Sequence, residues 1–172
     1  MAAADFQHSN EWRQVVAMYG RPGIAQACLL LQDRLDVDVL VMLHLGHVCH
    51  QHRIALNESH IASADAVVRD WRDQVVRPLR SARRAIDKDD TDTQALRTAV
   101  QQAELGAEQH ALAMLAALPV WTDTSPIEGP TSTTELVAAF YAERGGHKAD
   151  LKTAEIQAAI ELLDRAWAAD SA

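Results

Sequence analysis

Trp71-Arg72-Asp73-Gln74-Val75-Val76-Arg77-Pro78-Leu79-Arg80-Ser81-Ala82-Arg83-Arg84-Ala85-Ile86-Asp87-Lys88-Asp89-Asp90-Thr91-Asp92 is the stretch on which the fold turns. Upstream and through it, Ile61, Ala64, Val68, Trp71, Val75, Leu79, Ala82 and Ile86 recur at threes and fours. That spacing sets one face of an α-helix against a core. Downstream, Leu96, Val100, Ala103, Ala107, Ala111, Met114 and Leu118 form a second stripe of the same kind. The polar hexad from Asp87 to Asp92 separates the two, which predicts a long antiparallel helical hairpin over about 58–118. Pro78 has no N–H to give and crowds the preceding turn, so a kink or short break is expected there.

The rest of the chain agrees with an all-α reading. Its 172 residues hold only 7 glycines and 5 prolines, too little turn punctuation for a β-sandwich or barrel. Ser9 or Asn10 can cap a first helix to Tyr19, with Trp12, Val15, Val16 and Tyr19 apolar. A second helix runs from about Pro22 to Arg34, where Ile24, Ala27, Cys28 and Leu31 make a core-facing stripe. Asp36 or Asp38 can cap a third segment reaching about Arg53. Its run from Val37 to Leu45 is apolar apart from Asp38 and His44, and its length predicts a buried central helix rather than a strand. Pro119 to Thr131 reads as a linker, so the expected division is a bundle over 1–118 and a C-terminal helical pair over 132–172. Of that pair, the first helix should stop at Gly145-Gly146 in a left-handed cap, and the second should run from about Asp150 to Ala168.

A net charge of −8 works against nucleic-acid affinity. No apolar run approaches the roughly 20 residues that span a bilayer, and the first residues lack a secretory pattern, so the expected compartment is the cytoplasm. Two cysteines, Cys28 and Cys49, suit a reducing environment.

Three groups of residues can carry chemistry. His44, His47 and His50 precess along one side of the third helix, and imidazole is a preferred ligand of zinc and nickel. Cys49 and His52 point elsewhere, so a neighbouring pair could share one ion; the alternative is a set of buried and surface histidines at a helix end. Asp33, Asp36 and Asp38 can hold Mg²⁺ and a diphosphate, or simply cap the next helix. Arg69, Arg72, Arg77, Arg80, Arg83 and Arg84 fall on an arc of about 140° in a straight projection. Asp65, Arg69, Asp73 and Arg77 form an i, i+4 ladder expected on a solvated face. Arg77, Arg80 and Arg84 then present a site for an anion or acidic partner, unless acids from another element neutralise them. No phosphate loop, nucleophile elbow or paired-cysteine motif is present.

Two ordered segments, Tyr19 to Asp33 followed by Asp38-Val39, and Trp71 to Arg84, resemble signatures of an uncharacterised proteobacterial family, domain of unknown function 2390. The resemblance covers about Trp12 to Ile86 and implies a helical cytoplasmic protein with no established activity. Asp36 stands where that family tends to have glycine, and Leu40 where asparagine is common. Asp33 and the arginines lie inside the signatures, which suggests an ion pair from Asp33 to Arg80 or Arg84 across the bundle. The functional expectation is a non-enzymatic protein-interaction or adaptor module, able to form a homodimer through its C-terminal helices. The alternatives are a zinc or nickel binder using His44, His47 and His50, and an anion- or diphosphate-binding enzyme using Asp33, Asp36 and Arg80.

Overall fold

A computed structural model of the chain describes residues 9–121 and 132–169. It is all-α, with no strand among the described residues. Local signals set most helix starts. Helix α1 (Asn10–Tyr19) is capped by Ser9, whose hydroxyl accepts from the Trp12 N–H at 3.1 Å. Its buried side chains are Val15 and Met18, while Val16 faces solvent. Helix α2 (Ile24–Leu35) begins later than the proline suggested, because Gly23 at φ 81° takes a left-handed turn that no helix can include. Helix α3 (Val39–His52) is capped by Asp38, which accepts from Leu40 and Val41 N–H at 2.9 and 3.1 Å.

Helix α3 is the axis of the molecule. Val41, Met42, Leu43, Leu45, Val48 and Cys49 are all buried, so its periodicity is blurred as for any helix enclosed on most sides. Around it pack α1, α4 (Glu58–Trp71), α6 (Gln94–Ala116), α7 (Thr133–Gly145) and α8 (Ala154–Ala169). Asn57 caps α4 through the His60 N–H, and Ser132 caps α7 through the Glu135 N–H. Gly146, at φ 77°, supplies the expected left-handed end of α7.

The predicted hairpin is present with an added feature. Between α4 and α5 (Arg77–Ala85) lies one π turn, Arg72–Val76, closed by the Arg77 N–H donating to the Arg72 carbonyl. Pro78 explains its place. An α-helical turn would press the proline ring on the Gln74 carbonyl and leave that carbonyl without a donor; widening the preceding turn relieves both. The Trp71 indole N–H donates to the Ala107 carbonyl at 2.9 Å and fastens α4 to α6 just before the π turn.

Helices α7 and α8 share one hydrophobic core with α2, α3 and α4. The narrow apolar face of α8, with Ile156, Ile160, Leu163 and Trp167, is spent on this core and not left for a second copy. A 3-10 turn, Asp150–Lys152, precedes α8 where a longer helix was expected. Of the expected linker, only Pro119 to Trp121 falls within the described residues; 122–131 lies outside them. No helix among the described residues is long and apolar enough to cross a membrane.

Beyond this body, α5 and the first half of α6 stand out as an arm. No residue from Arg77 to Ala103 is buried, and α5 packs chiefly on α6.

One contact in the core tolerates no substitution. A Cβ built on Gly46 of α3 would stand 2.5 Å from the Trp167 indole. Gly46→Ala is therefore expected to destabilise the chain by about 1–3 kcal/mol, despite alanine's better helix propensity. Thermal unfolding checks this, as a drop of several degrees that adding Trp167→Phe partly reverses.

Candidate functional site

Asp65 should sit on a solvated ladder by its sequence; instead it is 2% exposed. A carboxylate buried alone would be costly, and four hydrogen bonds compensate it. Arg69 donates to Oδ2 from Nε (3.0 Å) and Nη2 (2.5 Å), and Arg72 Nη1 and the Tyr141 hydroxyl donate to Oδ1, each at 2.9 Å. Arg72 Nη1 also reaches Asp38 Oδ2 at 2.9 Å. Asp38 thus caps α3 with one oxygen and ties the π turn with the other. Burial pushes the Asp65 carboxyl up, but the hydrogen bonds from Arg69, Arg72 and Tyr141 outweigh it and hold it below its ordinary range. The Tyr141 hydroxyl is pushed well above its ordinary range by burial and by Asp38 and Asp65.

The arginines divide at the π turn, because one extra residue in the turn rotates everything after it by roughly 100°. Arg69 and Arg72 face Asp65, and Arg77 reaches Asp73 at 3.2 Å and Asp36 at 3.9 Å. Arg80 and Arg83 turn instead towards α6. Arg80 donates to Glu104 (3.2 Å), Glu108 (2.7 Å) and Gln32 (2.9 Å), and Arg83 grips both oxygens of Glu104. Burial pushes Glu104 up, yet Arg83 and Arg80 hold it below its ordinary range; burial prevails at Glu108 and raises it. The pair expected from Asp33 to Arg80 or Arg84 does not form. Asp33 is exposed and enters no ion pair among the described residues, and its neighbour Gln32 meets Arg80 in its place. Arg84 is exposed on the arm.

The histidines are separated by their surroundings. His44 is buried, with Nδ1 against the Glu11 carboxylate. His44 and His47 line one cavity of about 100 Å³ with Glu11 and His52, the last of which a straight projection turns away. His50 stacks on Trp167 with ring centroids 5.7 Å apart. Among the described residues no three His, Cys, Asp or Glu side chains converge as a metal ion requires. Burial pushes the Cys28 thiol up to about 12 and Cys49 to about 11, which makes both poor nucleophiles. Trp121 is half-buried against His60, at 4.6 Å between centroids.

A cleft of about 230 Å³ opens on the outer side of Asp65, lined by Asp36, Arg69, Arg72, Arg77, Tyr141 and Arg144 among others. It unites Asp36 and Arg77 from the sequence-predicted set; Asp33, Arg80 and Arg84 lie outside it. Asp36 has φ 58°, in the left-handed region that favours glycine. Asp38, read from the sequence as a helix cap or a magnesium ligand, serves as the cap and as a partner of Arg72; Asp65 and Tyr141 were not singled out as site residues in the sequence. Only the mid-helix acid Asp65, beside two arginines, was a signal, and nothing local linked it to Tyr141.

A family model described as "Protein of unknown function (DUF2390)" matches residues 10–115. The chain belongs to this family. The DUF2390 segment contains the arm, Asp38, Asp65 and Arg72, whereas Tyr141 and Arg144 lie beyond it. No curated protein and no solved structure matches the chain.

Asp65 makes an acid-sensitive contribution to stability. Its carboxyl titrates lower in the folded chain than in the unfolded one, so the stabilisation is complete above about pH 5 and drains away as the pH falls through the folded value. Asp65→Asn is expected to cost about 3 kcal/mol at pH 7. Urea unfolding from pH 7 to 3 checks this: the gap between parent and variant should shrink below about pH 4.

Proposed function

We propose that the chain is a non-enzymatic protein-interaction module of the cytoplasm that docks a helical segment of a partner protein on its α5–α6 arm. One observation carries this reading. On α6, Leu96, Val100 and Ala103 lie in line with Ala107 and Ala111, yet only the latter two are buried. Leu96 is 57% exposed. The apolar stripe therefore outruns the body that should cover it, by about two helical turns. An amphipathic helix gains most of its stability by burying its apolar face, and a bare stretch with small residues lets another helix approach closely. The arm lies within the family segment, so the reading concerns the part of the chain that defines the family.

The test is capture of partners by the immobilised chain, compared with Leu96→Glu. The substitution is expected to reduce capture at least tenfold while shifting the melting temperature by less than about 2 °C, since Leu96 packs against little. A solution mass of twice 18.9 kDa that falls to the monomer in Leu96→Glu would identify the partner as a second copy. A set of captured proteins unchanged by Leu96→Glu and by Ala103→Glu would overturn the proposal.

A further inference from the structure

The cleft beside Asp65 lies apart from the arm's apolar stripe and has a different character. Its walls carry four arginines, Arg69, Arg72, Arg77 and Arg144, against Asp36 and Asp65. We infer that it binds a small phosphorylated molecule, gripped by Arg77 and Arg144, with the phosphate taking the place of the Asp36 carboxylate.

How the charges are distributed carries the argument. On the inner side, Asp38 and Asp65 are committed to Arg72 and Arg69, and those contacts fix the floor of the cleft. On the solvent side the arginines are loosely held. Arg77 is 52% exposed and meets Asp73 at 3.2 Å and Asp36 at only 3.9 Å. Such exposed pairs contribute little and exchange readily. Arg144 forms no ion pair among the described residues; its guanidinium lies over the Phe140 ring, 4.3 Å from the centroid. Stacking uses the face of the guanidinium and leaves its in-plane N–H groups to donate, the geometry that matches paired phosphate oxygens.

Charge also selects the ligand. The carbonyl ends of α2 and α7, at Asp36 and Gly145, border the cleft and carry partial negative charge. These ends and Asp36 oppose any anion, so a ligand gains only by accepting from both arginines at once, and a phosphate or diphosphate has the acceptor oxygens to do so. The volume is below that of most drug-sized pockets, which favours a phosphate or diphosphate with a short carbon skeleton.

The test is isothermal titration of the full chain with inorganic diphosphate, inorganic phosphate and acetate at matched ionic strength. The affinities should fall in that order. Arg77→Ala and Arg144→Ala should each weaken diphosphate about tenfold, and Arg84→Ala, outside the cleft, should leave it unchanged. Asp36→Asn should tighten binding several-fold, since it removes the competing carboxylate and asparagine suits the left-handed backbone there. A melting curve for each variant establishes that it is folded; should Arg77→Ala unfold, Arg144→Ala and Asp36→Asn decide. The inference fails if no saturable binding occurs, if Arg84→Ala weakens it as much as Arg77→Ala, or if Asp36→Asn leaves the affinity unchanged.

Discussion

A carboxylate taken out of water has to be answered by donors, and the answer given to Asp65 organises one whole side of this molecule. Its four hydrogen bonds come from its own helix, from the π turn and from α7. Asp38 joins through Arg72, so the cap that starts the central helix is wired to the same centre. Removing any member leaves another buried charge or hydroxyl unanswered, which costs more than the pairwise bond itself. The network does what an apolar contact cannot: it fixes which residue of α7 meets which residue of α4, because donors and acceptors must match one to one.

The two surfaces that this arrangement leaves open differ in physical kind. On the arm, helix α6 carries an apolar stripe past the edge of the core, so water is the poorer solvent for what is exposed there. In the cleft, a buried acid holds Arg69 and Arg72 in place beneath Arg77 and Arg144, which face solvent. The first surface rewards shape and apolar area, the second rewards charge and geometry.

Much of this was legible in the sequence. Apolar residues at threes and fours located α4, α5 and α6, and Ser9 and Asp38 were among the residues able to cap α1 and α3, because burial and capping are local signals. Pro78 announced a disturbance, yet its form was not legible: a kink, a break and a widened turn all relieve the same clash. That ambiguity had consequences downstream. A straight projection gathered the arginines from Arg69 to Arg84 on one face, whereas the π turn sends Arg80 and Arg83 to Glu104 and Arg72 to Asp38. Acids from another element do neutralise Arg80, but they are Glu104 and Glu108 of α6 and not Asp33; from α2 it is the adjacent Gln32 that reaches Arg80, since neighbouring residues on a helix point about 100° apart. Tyr141 stayed hidden for another reason. Its apolar ring fits a core stripe, and only the tertiary fold brings its hydroxyl to an acid 76 positions earlier.

A π turn is, in effect, one residue more than an α-helix of the same length would hold. Relatives that lack it would be expected to carry a single-residue deletion between Trp71 and Pro78, and not a run of substitutions. Such a deletion would move the rest of the hairpin round its own axis in one step, parting Arg80 and Arg83 from Glu104 and Glu108 and carrying Arg77 off the rim of the cleft. A gap of one position in an alignment at this point would therefore mark a change in which surface the arginines serve, even where every arginine is retained.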